Sequence, residues 1–236
     1  MSISVCMTTY NGEKYIKEQL DSILCQLGED DEVIISDDSS TDQTVNIIKS
    51  YNDKRIKLFE EQKFFSPTYN FENSLKYATK DFIFLSDQDD VWLPAKVATV
   101  LKYLKEHDLV VSDCIVVDED LKVLDESFFG LVNSGNGFFK NFVKNTYIGC
   151  CMAFRRSVLE YILPFPSKIA MHDIWIGLST EMKGTVFFLK EPQILYRRHE
   201  NTATLSGLKS KNNTVFKLYY RFLLLYQLVK RHIFNS

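Results

Sequence analysis

The first half of the chain alternates short β-branched runs with stretches whose apolar positions recur at helical spacing. Residues 3–8 read as a buried strand. Residues 13–26 read as a helix carrying Tyr15, Ile16, Leu20, Ile23 and Leu24 on one side. Strands at 33–36, 56–59 and 82–85 alternate with helices at 42–51, 67–78 and 94–106. Ser66 as cap and Pro67 at the first helical position mark where the third helix starts. Apolar strands separated by amphipathic helices imply a mostly parallel sheet covered on both faces, an α/β fold.

The second half is less regular. Residues 109–117 read as a strand, 118–136 as a hairpin and irregular loop, and 150–154 as a strand. Helices follow at 157–163 and 173–182, then two closing strands at 185–189 and 193–196. A mobile loop is expected over 200–212, and a long final helix over 213–234. No internal repeat or clean boundary precedes that loop, so residues 1–200 read as one domain and 201–236 as an appendage.

Composition narrows the class. Of 236 residues 45% are hydrophobic and 25% charged, which excludes wholesale disorder and a disulfide-dense scaffold. No run approaches the ~18 apolar residues of a membrane span. The net charge of −3 is unevenly placed: six bases and no acid follow Leu208, leaving 22 bases against 31 acids, or −9, on residues 1–208. An acidic body argues against nucleic acid as partner. Cys6, Cys25, Cys114, Cys150 and Cys151 are odd in number and match no zinc spacing, so reduced thiols are expected. The N-terminus lacks the pattern of a secretory signal, and a cytoplasmic location is the default.

Ligands of open α/β sheets bind outside the carboxyl ends of the strands. The first strand is followed by Thr8, Thr9, Tyr10, Asn11 and Gly12, the second by Asp37, Asp38, Ser39, Ser40, Thr41 and Asp42, and the fourth by Ser86, Asp87, Gln88, Asp89 and Asp90. Massed carboxylates repel unless a cation neutralises them, and short hard-oxygen ligands suit Mg²⁺ or Mn²⁺. Asp87 and Asp89, two apart on an extended segment, can face one ion. The plainer reading is an acidic turn before Pro94, with Asp90 as a cap. For the second-strand loop the plainer reading is that Thr41 or Asp42 caps the next helix, which leaves Asp37 and Asp38 unexplained.

The runs SVCMTTYNG (4–12), ISDDSSTD (35–42) and FLSDQDDVWLP (84–94), in this order and spacing, resemble the family-2 glycosyltransferases of the GT-A fold. The SDQDDVW form is similar to the bacterial, rhamnosyltransferase-like branch that builds surface polysaccharides. The resemblance covers most of residues 2–200. It implies a nucleotide-binding half, 1–108, and an acceptor half, 109–200, and a metal-dependent, inverting transfer from a UDP- or dTDP-sugar to a glycan or lipid-linked acceptor. It places Thr9 and Tyr10 along the nucleoside, Asp38 on the base, Asp87 near ribose and metal, and Asp89 on the metal. Asn70 and Asn73, on the third helix, would touch the donor.

Residues 145–155, NTYIGCCMAFR, resemble the family strand beneath the donor sugar, where Gly149 would allow backbone to approach the ligand. Asp173 holds the position of the general base. The acidic pair common there is here His172–Asp173, so His172 would assist or orient. The plainer reading of Asp173 is a helix cap. A helix N-terminus lowers the basicity of a carboxylate, and burial would have to restore it. After the last strand, Arg197 and Arg198 would serve the diphosphate and His199 the metal, with a surface-loop residue as the plainer reading of His199.

The final helix interleaves Phe216, Leu218, Tyr219, Phe222, Leu225 and Tyr226 with Lys217, Arg221, Lys230 and Arg231. That pattern fits docking on its own domain, a homodimer, or contact with a membrane surface at the inner face of the cell membrane. Two other functions stay open on these residues: a nucleotidyltransferase of the same fold, which would usually show a Gly-rich basic loop after the first strand, and a non-catalytic nucleotide-sugar-binding module.

Overall fold

The computed structural model describes residues 1–169, 171–199 and 214–234. Four strands, β1 (Ile3–Thr9), β2 (Glu32–Asp37), β3 (Ile56–Phe59) and β4 (Phe82–Ser86), pair in parallel in the order β3-β2-β1-β4. β1, β2 and β4 are buried along their whole length, as expected for strands covered on both faces. The intervening helices are α1 (Ile16–Leu24), α2 (Thr44–Ser50) and α3 (Pro67–Lys76); α3 lies against β1 and β2. Ser66 does precede α3 in extended conformation, with Pro67 at its start, but its side chain makes no capping bond.

Beyond β4 the sheet is mixed. β5 (Val91–Trp92), α4 (Lys96–Leu104), β6 (Leu109–Val117), β7 (Val123–Asp125), β8 (Met152–Arg155) and β9 (Val186–Arg197) extend the order to β3-β2-β1-β4-β8-β6-β9-β5, with β7 pairing β6. β8 runs antiparallel to both β4 and β6, so it joins the parallel half to the rest in one continuous sheet. The closing strands expected at 185–189 and 193–196 are one strand, β9. Its pairing with β6 shifts register around Asp113, opposite Pro192, where proline has no N–H for the ladder.

Other differences are local. The 118–136 region holds the expected hairpin turn into β7, then a short helix α5 (Phe128–Val132) capped by Ser127, whose hydroxyl accepts from Gly130 N–H. A further helix α6 (Phe138–Val143) was not foreseen, because its FFKNFV sequence lacks a capping side chain and starts from Gly137 at φ 128°. Residues Gly149–Cys151 form a 3₁₀ turn, so the strand expected from 150 begins at Met152. α7 (Leu159–Ile162) and α8 (His172–Lys183) match two expected helices, and α9 (Thr214–Val229) ends in a widened π turn, Lys230–Phe234. The loop expected over 200–212 lies outside the described residues.

At the amino end of the sheet, Glu32 accepts from Ser4 Oγ (2.6 Å), Thr79 N–H and Thr79 Oγ1 (both 2.8 Å), and pairs with Lys57 Nζ at 2.7 Å. Burial opposes its charge, yet these partners pull its carboxyl down to about 2.

Candidate active site

In-register pairing brings Thr9 beside Asp37, and Met7 beside Ser86, so the polar segments after β1, β2 and β4 share one rim. Asp37 ties two of them together: Thr9 Oγ1 donates to it at 2.7 Å, and Ser40 gives both its N–H (2.8 Å) and its hydroxyl (2.6 Å). Asn11 and Ser39 sit at φ 48° and 64°, and Asn11 N–H donates to Ser40 Oγ while Asn11 Oδ1 accepts from Thr41 N–H. Asp42 accepts from Thr44 N–H and Glu13 N–H, but α2 opens at Gln43 without a side-chain cap.

Asp38 is buried, and its carboxylate accepts from Phe64 N–H (2.7 Å) and Ser66 N–H (3.2 Å), which fixes the approach to α3. From α3, Asn70 Nδ2 donates to Ser36 O at 2.9 Å and Asn73 Nδ2 to Ser36 Oγ at 2.9 Å. Asn70 Oδ1 is buried with no protein partner. Tyr10 stands out from this rim, 57% exposed.

The three carboxylates after β4 divide. Asp89 meets His199 Nε2 at 2.9 Å, and His199 packs on the Tyr15 ring. Asp87 and Asp90 turn inward with Cys150, the three offering ligand atoms within 4.8 Å of one another. Asp90 is buried; its Oδ1 accepts from Arg197 N–H at 3.0 Å, and its Oδ2 has no protein partner. Asp90 is therefore no helix cap, and α4 starts at Lys96 without one. Burial and then the neighbouring Asp89 push the Asp87 carboxyl up to about 7, with Asp173 adding to the effect, and the same burial and neighbours push Asp90 up. Hard oxygens crowded until they hold protons near neutral pH, one of them orphaned, fit a divalent cation.

Behind this cluster lies Lys96. It is 1% exposed, donates to Cys150 O at 3.1 Å and stacks over the Trp92 ring at 4.3 Å. Burial lowers its pKa while the nearby Asp90 acts in the opposite direction. Lys96 was not singled out from sequence, since a lysine opening a helix looks like any solvated one; Asp90 was expected in the acidic turn as a cap, and Cys150 only as a reduced thiol.

Arg197, expected to meet a diphosphate, has its guanidinium committed to protein. Nε donates to Asp89 O (2.7 Å), and the two terminal nitrogens to Glu119 O and to Glu18 Oε2 (both 2.5 Å), over the face of Tyr15. It holds the shape of the carboxylate loop. Arg198 N–H closes onto Val117 O.

Asp173 lies in the first turn of α8, one residue inside its start, with Met171 before it in extended conformation. Ile174 N–H donates to its Oδ1 at 2.6 Å and Asn145 Nδ2 to its Oδ2 at 3.2 Å. Burial outweighs these donors and raises its carboxyl to about 6. His172 packs against Phe71 with ring centroids 4.2 Å apart and the rings tilted by 34°, and its Nε2 has no protein partner. Burial holds it neutral down to about 3. The space over Gly149, expected for ligand, is taken by this imidazole: a Cβ there would collide with His172 Nε2. Asp173 adds to the charge acting on Asp87, so the carboxylate of α8 and the inward-facing cluster share one electrostatic field.

Carboxylates at the strand ends of a mixed α/β sheet, facing a buried carboxylate on a later helix, define a glycosyltransferase of the GT-A fold. The chain belongs to glycosyl transferase family 2, whose family model matches residues 4–163. It is 27% identical over 230 residues to dTDP-rhamnosyl transferase RfbG of Shigella flexneri, covering 87% of this chain and 75% of that protein. It is 23% identical to UDP-Glc:alpha-D-GlcNAc-diphosphoundecaprenol beta-1,3-glucosyltransferase WfgD of Escherichia coli, covering 99% of this chain and 96% of the relative. Among solved structures, S. aureus TarS 1–349 in complex with UDP-GlcNAc superposes with a TM-score of 0.74 at 20% identity, over 99% of this chain and 68% of that one.

Proposed function

We propose that this protein is an inverting glycosyltransferase that moves a sugar from a UDP- or dTDP-sugar to a hydroxyl of a glycan or lipid-linked acceptor in surface-polysaccharide synthesis, working at the cytoplasmic side of the membrane. The observation that carries the reading is Asp173: a buried carboxylate, held by Asn145 and Ile174, with its pKa raised to about 6 in the field of the Asp87 cluster. A general base works best with a pKa near the operating pH. The names of the family-2 relatives, which act from dTDP- and UDP-sugars, support the donor class.

In this reading the parallel half, residues 1–108, binds donor, and residues 109–200 present the acceptor. Thr9, Tyr10, Asp38 and Asn70 line the nucleoside. Asp87, Asp89 and His199 hold Mn²⁺ or Mg²⁺, with Asp90 close behind. The cation, when bound, supplies positive charge against the leaving diphosphate. Asp173 takes the acceptor hydroxyl proton as that oxygen bonds to C1 of the sugar. The bond from C1 to the diphosphate breaks, its electron pair leaves with the nucleoside diphosphate, and the anomeric configuration inverts. His172, neutral and adjacent, orients the acceptor.

The test is a panel of nucleotide sugars with Mn²⁺ or Mg²⁺ and no acceptor. One donor should raise the melting temperature and be slowly hydrolysed. Asp89→Ala should abolish cation-dependent donor binding; intact binding would refute the metal assignment.

A further inference from the structure

We propose that the outward face shared by α6 and α9 lies on an anionic lipid surface. It deepens the reading of a membrane-borne acceptor and rests on that reading only for its purpose, not for its evidence.

α9 docks on the domain through one stripe. Leu224 and Leu228 are buried, His232 Nε2 meets Ser179 Oγ at 3.0 Å, and Arg231 donates to Leu163 O (2.9 Å) and Pro164 O (2.6 Å). Leu224, Leu228 and His232 recur every fourth residue, with Arg231 beside them, and these contacts account for docking. The other side of the helix is unlike an ordinary surface helix, which turns polar residues outward. It presents Leu218, Tyr219, Phe222, Leu225 and Tyr226, and Ile233 follows in the last turn, all exposed; Phe222 is 68% so.

The patch continues onto α6. Arg221 joins the two helices by donating to Val143 O at 3.2 Å and lying over the Phe142 ring, and beside it Phe139 and Val143 are 81% and 75% exposed. A contiguous apolar face of this kind marks an interaction site.

Charge selects the occupant. Neither α6 nor the 214–234 segment contains an acid, while Lys140, Lys217 and Lys230 are exposed around the apolar side chains. Glu181, behind α6, is taken up by Tyr147 and Asn141. A second copy of this chain would bring the same cations against themselves. Anionic headgroups complement them, and aromatic and aliphatic side chains enter the headgroup boundary. No described helix is long and apolar enough to cross a membrane, so the contact lies in the plane of the surface. Val143 is two residues, about 7 Å of chain, from Asn145, which holds the proposed base Asp173.

The experiment is co-sedimentation of the whole chain with phosphatidylcholine vesicles with and without phosphatidylglycerol. Binding should require phosphatidylglycerol, weaken with added salt, and fall about tenfold or more in Phe222→Glu and in Lys217→Glu/Lys230→Glu. Both variants alter exposed positions, and unchanged melting temperatures confirm that they fold. Equal binding to both vesicle types, unchanged binding by Phe222→Glu, or a dimer in solution that Phe222→Glu splits would each overturn the proposal. Donor hydrolysis without acceptor reads the transferase site separately and should be the same in all variants. A failure there bears on the function, and a failure of sedimentation bears on this face.

Discussion

The side-chain amide of Gln88 pairs with the backbone of Tyr10 in both directions: Tyr10 N–H donates to Gln88 Oε1 at 2.9 Å, and Gln88 Nε2 donates to Tyr10 O at 3.0 Å. Gln88 lies between Asp87 and Asp89, so this clamp sets the loop after β1 against the carboxylate loop after β4. Two hydrogen bonds of about 1 kcal/mol each predict that Gln88→Ala raises the donor KM roughly thirtyfold with a smaller change in kcat. Gly12→Ala should act in the same direction, because a Cβ there would drive into Gln88. Steady-state kinetics on both variants check it.

As the proposed base, Asp173 should carry the pH dependence. Its carboxyl, raised to about 6 by burial, must be ionised to take a proton, so activity at saturating cation should fall with unit slope below about pH 6 and level off above it. Asp173→Asn should retain donor binding, lose transfer by about 10²–10⁴-fold and lose that acidic limb. Surviving transfer would remove it as the base.

Burial of Asp87 costs stability once its carboxyl ionises. Its folded pKa of about 7 lies above the unfolded value, so the stabilising effect of its bound proton is complete below about pH 4 and is lost as pH rises through 7. Asp87→Asn should therefore raise the cation-free melting temperature at pH 8 by roughly 2–4 °C per kcal/mol relieved, with the gain shrinking toward pH 4. Differential scanning calorimetry across that range decides it, and Mn²⁺ should stabilise the wild type but not the variant.

Glu32 behaves in the opposite sense and far from the chemistry. Its carboxyl is held at about 2, so the stability it supplies is full above about pH 4.5 and is lost as pH falls toward 2. Glu32→Gln should lower stability by about 1–3 kcal/mol at pH 7 and leave kcat unchanged, measured by urea titration beside activity.

Gly149→Ala tests the contact with His172. The new methyl meets an imidazole already packed on Phe71, and a loss of about 1–3 kcal/mol is expected. Adding His172→Ala should recover part of it, which a double-mutant cycle measures.

The parallel half was legible because each strand is a short apolar run and each helix repeats an apolar stripe; strand 56–59 matches to the residue. The carboxylates at the strand ends were legible for the same reason, since chain order alone delivers them to one rim. What sequence did not reveal depends on contacts between distant segments. Asp90 turns inward because Arg197, more than a hundred residues later, donates its N–H to it. Lys96 is buried because Trp92 and the Cys150 carbonyl receive it. Arg197 reads as an anion ligand until Glu18, Glu119 and the Asp89 carbonyl take its donors.

That last residue has a consequence for synthesis. Arg197 fastens α1, the loop after β4 and the β6–β7 turn, yet it emerges from the ribosome long after all of them. A nascent chain can assemble β1 to β4 and their helices while its acidic loop still lacks a buckle. In the proposed reading, cation capture waits for β9, the last strand of the sheet to be made.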